Sequence, residues 1–296
     1  FATLAQAQRS GSQANESEDV TLETKDGVSL KITYFPSKEG KEAVPVVMLH
    51  DYKENRALYS SLARELSQPP EEDFTSYAVV TVDLRGHGGS TRIVGRNGQS
   101  FELEAERLKA ADFRAMVISD MEAVRKFLVQ KNDAGELNLN KLCIVGAGLG
   151  ANVATTYAAF DWSVPQLPQR KQGRDVKALI LSSPKWSDYG LSMMRPLKHK
   201  LVREKISVMI VYGAQDSRAT KDAKSVHRLL AKFHPEPPRD QRREKQDLFL
   251  IGLQTRLQGT KLLTDTNFNM LDRVDGFLDA RLTVQPFDWI QRISSN

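Results

Sequence analysis

The chain of 296 residues contains few cysteines, few histidines and no long apolar run. Its single cysteine, Cys143, lies in the apolar stretch LCIV, so no internal disulfide can form and the thiol is predicted to be a small buried hydrophobe. No apolar run reaches the length of a membrane span. The nearest histidines, His227 and His234, are separated by a spacing untypical of metal ligands. The sequence therefore predicts no membrane span, no metal site and no cofactor.

The charge pattern does not indicate a nucleic-acid partner. The formal net charge is +5, and much of the basic character lies in the clusters RKQGR, at 170–174, and RDQRREK, at 239–245. Neither cluster has interleaved aromatic residues, and basic residues bind phosphates only where they gather on one face. We therefore interpret both clusters as solvated loops.

The first residues allow two interpretations. The stretch FATLAQAQRS begins without methionine and has small residues at Ala5 and Ala7, as signal-peptide cleavage regions do. Residues 1–18 are thus predicted to be either a signal-peptide remnant or a disordered tail. A signal peptide would place the protein in the periplasm or outside the cell, whereas a tail leaves the cytoplasm open. Residues 19–296 are predicted to form a single domain, and the sequence does not indicate its oligomeric state.

Apolar runs alternate with helical stretches along the domain. Two short runs separated by Lys25-Asp26-Gly27 predict an antiparallel hairpin. Later runs are almost continuously apolar, as strands of a parallel sheet covered on both faces must be. These patterns predict an α/β fold with a mostly parallel, doubly wound sheet of about eight strands. The predicted strands are 20–24, 28–35, 44–50, 77–84, 141–147, 176–183, 206–214 and 246–253.

The stretch KLCIVGAGLGANV admits two interpretations. Gly146, Gly148 and Ala151 match the GxGxxA turn of a dinucleotide-binding fold. That turn normally follows the first strand, and an acidic residue ends the next strand. Here several strand-like runs precede the turn, and the next strand ends in Ser182 and Ser183. The alternative is the GxSxG nucleophile elbow, with Gly148 in place of the serine and small residues Gly146 and Gly150 beside it.

Other stretches carry a resemblance to the α/β-hydrolase superfamily, in particular its monoacylglycerol-lipase-like and serine-aminopeptidase-like branch. VDLRGHGGS, at 82–90, resembles the DxRGHGxS signature of that branch. VVMLHD, at 46–51, is similar to the family strand that ends in HG, and VYGAQD, at 211–216, to the strand that presents the triad acid. The resemblance implies an α/β-hydrolase fold. The segment 184–205 is too short for a large lid; its Trp186, Met193 and Met194 either line an open pocket or, as we expect, pack in the core.

The resemblance also assigns the triad positions, and two of them cannot perform acyl transfer. The nucleophile position is Gly148, the acid position is Asp216, and the histidine position is Gln258. No histidine follows the last predicted strand. Glycine cannot attack a carbonyl, and glutamine cannot accept a proton near neutral pH. We expect Asp216 to bind backbone amides of its own loop or the side chain of Gln258.

The resemblance places the oxyanion donors at the backbone amides of Leu149 and of a residue near Tyr52. Asp51 puts a negative charge where glycine is usual, which opposes an oxyanion. His50 lies at the end of its strand, where ligands bind in open α/β sheets, yet a structural hydrogen-bonding role is favoured. His87 and Arg85 are likewise predicted to be structural.

Three hypotheses about function remain open. The first is a catalytically inactive, hydrolase-like protein that binds an unknown small molecule or protein through the inherited cleft. The second is an active ester or amide hydrolase that uses no serine or uses unusual groups. The third is a dinucleotide-binding protein.

Overall fold

The computed structural model describes residues 17–70, 74–95, 97–168 and 171–292. Residues 1–16 of the predicted tail lie outside these ranges, so its two interpretations stay predictions, as does the single-domain division. No helix within the described ranges is long and apolar enough to cross a membrane.

An eight-stranded sheet forms the centre of the molecule. The strands are β1 Glu18–Glu23, β2 Ser29–Phe35, β3 Pro45–Leu49, β4 Ala78–Val82, β5 Leu142–Ala147, β6 Val176–Ser182, β7 Ser207–Gly213 and β8 Leu248–Leu253. They follow the spatial order β1-β2-β4-β3-β5-β6-β7-β8. Strands β1 and β2 pair antiparallel, as do β2 and β4, and all other neighbours pair parallel. The prediction of a mostly parallel sheet entered through an antiparallel hairpin is therefore confirmed.

Helices cover both faces of this sheet. A short π-helical stretch, Met116–Asp120, joins Ala110–Ala115 to Met121–Asp133, so the three segments run as one bent helix. The helices are α1 Ser60–Ser67, α2 Ala110–Ala115, α3 Met121–Asp133, α4 Leu149–Ser163, α5 Met194–Leu197, α6 Lys200–Lys205, α7 Ser217–Leu230, α8 Arg242–Lys245, α9 Thr260–Thr264 and α10 Met270–Leu278.

Successive side chains of the central strands point to opposite faces of the sheet, so the core has two layers. In β5, Ile144 packs with the layer under α3, α4 and α7, whereas Cys143 and Val145 pack with the layer under α1, α9 and α10. All three side chains are fully buried. Both faces of the central strands therefore need apolar residues, which explains their nearly continuous apolar sequence.

Two segments between the strands of the main sheet contain short regular elements. Residues Arg92–Val94 and Ser100–Glu102 form a small antiparallel hairpin. Between β6 and β7, Ser187–Asp188 pairs with Leu191–Ser192 in a second hairpin, followed by α5 and α6. This second hairpin lies beside the carboxyl ends of the strands and forms one wall of the region described below.

A buried ion pair fixes the loop after β4. The Arg85 guanidinium donates to both carboxylate oxygens of Asp120, with Nε at 3.1 and 3.0 Å, and to Asp26 in the first hairpin. The side chains of Arg85 and Asp120 are each 1% exposed. The loop, the bent helix and the hairpin are therefore joined through one side chain.

Removal of Arg85 should destabilise the fold strongly. We expect Arg85→Leu to lower the free energy of unfolding by about 3–5 kcal/mol, because it leaves the Asp120 carboxylate buried without its cation. The double variant Arg85→Leu/Asp120→Leu should lose less of this free energy than the single variant. Urea unfolding followed by circular dichroism measures both, and an equal loss would contradict a charge-pairing role.

Candidate functional site

The turn between β5 and α4 has the sharp conformation of a nucleophile elbow. Gly148 adopts φ 49° and ψ −111°, and its amide donates to Ser182 O at 2.9 Å. A Cβ at Gly146 would lie 2.4 Å from Gly150 O, and one at Gly150 would lie 2.3 Å from Leu49 O. Gly146 and Gly150 thus allow α4 to pass directly against β5 and β3.

The Asp51 carboxylate fills the space of the nucleophile's side chain. A Cβ at Gly148 would lie 2.0 Å from Asp51 Cγ and 2.0 Å from its Oδ1. Such distances are far below van der Waals contact, so residue 148 can carry no side chain while Asp51 keeps this position. The two residues are sterically complementary across the ends of β3 and β5.

The predicted oxyanion donors both bind the same atom of Asp51. The amide of Leu149 donates to Asp51 Oδ1 at 2.8 Å, and the amide of Tyr52 donates to it at 2.7 Å. This oxygen lies at the N-terminus of α4, where the helix dipole favours negative charge. The carboxylate therefore sits in the hole that would otherwise receive a substrate oxyanion.

Lys185 supplies a cation to this carboxylate. Its Nζ lies 3.4 Å from Asp51 Oδ1 and 2.9 Å from Asp188 Oδ2. Burial works to lower the pKa of Lys185, but the two carboxylates outweigh it and raise that pKa above the ordinary value. The motifs gave no signal for Lys185, because it follows a different strand and matches no family residue.

Gln258 faces the end of β7 rather than the elbow. Its Nε2 donates to Gly213 O at 2.9 Å, and its Oε1 accepts from Gly213 N at 3.2 Å. The Ser183 hydroxyl donates to the same Oε1 at 2.6 Å and accepts from Gly259 N at 3.0 Å. The carboxamide thus satisfies backbone groups at the histidine position.

Asp216 caps α7. Its carboxylate accepts from Ala219 N at 2.7 Å, as expected for an aspartate that binds its own loop. Within the described ranges no hydrogen bond joins Asp216 to Gln258. In the described part of the chain, the predicted triad positions therefore lack the hydrogen-bond relay that proton transfer needs.

His50 and His87 make structural hydrogen bonds. Leu84 N donates to His50 Nε2 at 3.1 Å, so Nδ1 carries the proton and donates to Asp51 O at 2.6 Å. Burial lowers the pKa of His50 to about 4. His87 Nδ1 lies 2.9 Å from Arg85 O, and burial also lowers the pKa of His87. Both imidazoles are neutral at pH 7.

An aromatic group borders the elbow. The ring centroids of Tyr52 and Tyr189 lie 4.7 Å apart, and Phe113 stacks on Tyr189 at 4.4 Å. Tyr189 belongs to the second hairpin and is 40% exposed. Of the three side chains named in the sequence, Met193 is buried and Trp186 half-buried, whereas Met194 is 40% exposed.

The geometry of the elbow also argues against a bound dinucleotide. The N-terminus of α4, where the phosphates of a dinucleotide would bind, is taken by the Asp51 carboxylate, which repels phosphate. Strand β6 is followed by Ser183, with no carboxylate for a ribose. Among the described residues, no group of three or more histidine, cysteine, aspartate or glutamate side chains could hold a metal ion.

The sheet order and the elbow define an α/β-hydrolase. A family model described as serine aminopeptidase, S33, matches residues 40–238, about two-thirds of the chain. The chain therefore belongs to this family of α/β-hydrolases. No curated protein matches the sequence.

Solved structures with the same fold are distant in sequence. The Pyrococcus furiosus esterase Pf2001 is 16% identical, with a TM-score of 0.60 over 90% of this chain and 93% of that one. Thermogutta terrifontis esterase 2, phosphorylated by paraoxon, is 16% identical, with a TM-score of 0.58 over 92% and 97%. The Pyrococcus horikoshii acylaminoacyl peptidase is 13% identical, with a TM-score of 0.56 over 95% and 44%. At these identities the likeness shows the fold alone.

Any side chain at residue 148 should destabilise the protein unless Asp51 is shortened. Positive φ and the overlap with Asp51 should each cost about 1–3 kcal/mol in Gly148→Ala. In a protein that already carries Asp51→Ala, Gly148→Ala should lose only the stability that the positive φ at residue 148 costs. Urea unfolding of the four proteins in this double-mutant cycle measures the difference, and equal costs in both backgrounds would contradict the overlap.

Because of His50, the free energy of unfolding should decrease as the pH falls from 6.5 to 4. Its pKa is about 4 in the folded chain and near its ordinary value of 6.5 when unfolded. The unfolded chain therefore binds the extra proton between these values, and about 3 kcal/mol is lost as the pH falls from 6.5 to 4. His50→Gln, which keeps an acceptor for Leu84 N, should flatten this part of the stability profile. Parallel profiles for the two proteins would show that His50 is not the titrating group.

Proposed function

We propose that this serine-aminopeptidase-family chain is a catalytically silent α/β-hydrolase that acts by binding a small molecule or a protein. The observation that carries the proposal is the convergence of the Leu149 and Tyr52 amides on Asp51 Oδ1, at 2.8 and 2.7 Å. The donors that would stabilise an oxyanion are already bound to a fixed anion of the chain.

The chemistry of acyl transfer supports this proposal. Loss of one oxyanion donor in a serine hydrolase costs about 10²–10³ in kcat, and loss of the nucleophile costs about 10⁶. Here Gly148 supplies no nucleophile, and the Gln258 carboxamide is bound to Gly213 and Ser183. Since Lys185 neutralises Asp51, the arrangement is also electrostatically stable without substrate.

A second candidate is a hydrolase in which Asp51 itself attacks the substrate. One observation favours it: the carboxylate occupies the nucleophile's place, and Oδ2 accepts no hydrogen bond from the described residues. The resulting acyl or alkyl intermediate would need a base to activate water. The nearby His50 already uses both ring nitrogens. We therefore place this candidate second.

A ligand of the silent protein would contact the rim of the cleft rather than its centre. The centre holds the Asp51–Lys185 ion pair, whereas Tyr52 and Tyr189 present aromatic surface beside it. Tyrosine rings have apolar faces and polar hydroxyl groups, so they suit ligands that combine apolar and polar parts.

Restoration of the triad tests the proposal. Gly148→Ser/Gln258→His should stay inactive, because the serine side chain overlaps Asp51. Addition of Asp51→Gly should free both the space and the two amides, and turnover of p-nitrophenyl butyrate should then rise at least 100-fold over the double variant. Asp216→Asn in the triple variant should lower kcat again, since the acid would no longer orient the new histidine.

The unmodified protein is the decisive control in this assay. We expect no turnover above background for the unmodified chain. Turnover that disappears in Asp51→Ala would contradict catalytic silence and would establish the second candidate.

A further inference from the structure

A cavity separate from the elbow opens between α2, α4, the second hairpin and α5. Its volume is about 660 Å³, within the range of about 300–1,000 Å³ typical of small-molecule sites. The walls include Leu191, Met194 and Pro196, and Thr156 of α4 also lines it. We refer to it as the α5 cavity.

Three cations line the α5 cavity. They are Arg114 at the end of α2, Arg195 in α5, and Lys198 directly after α5. Across the described ranges, none of these three side chains makes an ion pair or a hydrogen bond, and no carboxylate is among the residues that line the cavity. All three side chains are exposed. They differ from the less exposed Arg85, Arg125 and Lys185, each of which has a carboxylate partner.

The α5 cavity does not belong to the elbow. None of Asp51, Gly148, Leu149, Asp216 and Gln258 lines it. Asn152 lies between the two regions: its Nδ2 donates to Leu191 O at 2.8 Å and to Lys185 O at 2.9 Å. These bonds tie the second hairpin to α4.

We propose that the α5 cavity binds an amphiphilic anion, namely the carboxylate of a medium-chain fatty acid. Two arginines and a lysine at one cavity repel one another, and an anion relieves that repulsion. A guanidinium matches a carboxylate with two parallel hydrogen bonds. The apolar walls at Leu191, Met194 and Pro196 bury the alkyl chain, which binds because its surface leaves water.

The proposed fatty-acid site is separate from the elbow, so it is tested by measuring binding rather than enzymatic activity. Dodecanoate, titrated into the full chain below its micellar concentration by calorimetry, should bind saturably with one site. Dodecanol, which has the same chain without the charge, should bind at least tenfold more weakly. A rise in NaCl from 0.05 to 0.5 M should weaken dodecanoate binding, since salt screens exposed charges.

Matched variants locate the site. Arg114→Gln/Arg195→Gln should raise the Kd for dodecanoate at least tenfold. Arg64→Gln removes one arginine charge from exposed α1, on the opposite face of the sheet, and should change the Kd less than twofold. Met194→Gln, at an exposed position of the wall, should weaken dodecanoate more than hexanoate, because the longer chain covers more of the apolar wall.

Three outcomes would overturn the proposal. They are the absence of saturable dodecanoate binding, equal effects of Arg64→Gln and the double variant, and higher affinity in Asp51→Asn. The last result would place the anion at the elbow, where Asp51 repels it. Thermal unfolding of each variant without ligand shows whether it is folded, so a loss of binding can be assigned to the cavity.

Discussion

The Asp51 carboxylate is held by amides from two strand ends, and the centre of the molecule is arranged around it. One oxygen accepts from Tyr52, directly after it, and from Leu149, which lies 98 positions later in the sequence. Hydrogen bonds to an ionised acceptor are roughly twice as strong as neutral ones. Because the carboxylate also occupies the only space a side chain at Gly148 could take, the two residues constrain each other.

The contacts of the surrounding residues support this arrangement. Gly146 and Gly150 bring α4 against β5 and β3, which aims the Leu149 amide at the carboxylate. Gln258 bonds Gly213 and Ser183, so the predicted histidine position supplies no base to the elbow. The elbow backbone is thus present while the polar groups around it bind one another, and the three exposed cations of the α5 cavity line a separate region.

The fold could be predicted from local patterns because each strand carries its own signal. Apolar runs fixed the strands to within a few residues, and the small residues around Gly148 indicated the elbow. The motifs also placed Asp51 beside the oxyanion donors. The motifs could not show that the Asp51 carboxylate enters the space left by Gly148. The side-chain conformation of Asp51 depends on the missing side chain at Gly148, which lies far away in the sequence. Lys185 and Ser183 were missed for the same reason, since each acts on a partner from another strand and matches no motif.

Exposure of the unmodified chain to paraoxon, followed by intact mass measurement, tests most directly whether the elbow contains a reactive nucleophile. A serine hydrolase with a working elbow gains one diethylphosphoryl group. With Gly148 at the nucleophile position and Asp51 bound to both oxyanion amides, we predict an unchanged mass at reagent excess. A stoichiometric increase by one such group, located at the elbow by peptide mapping, would contradict catalytic silence.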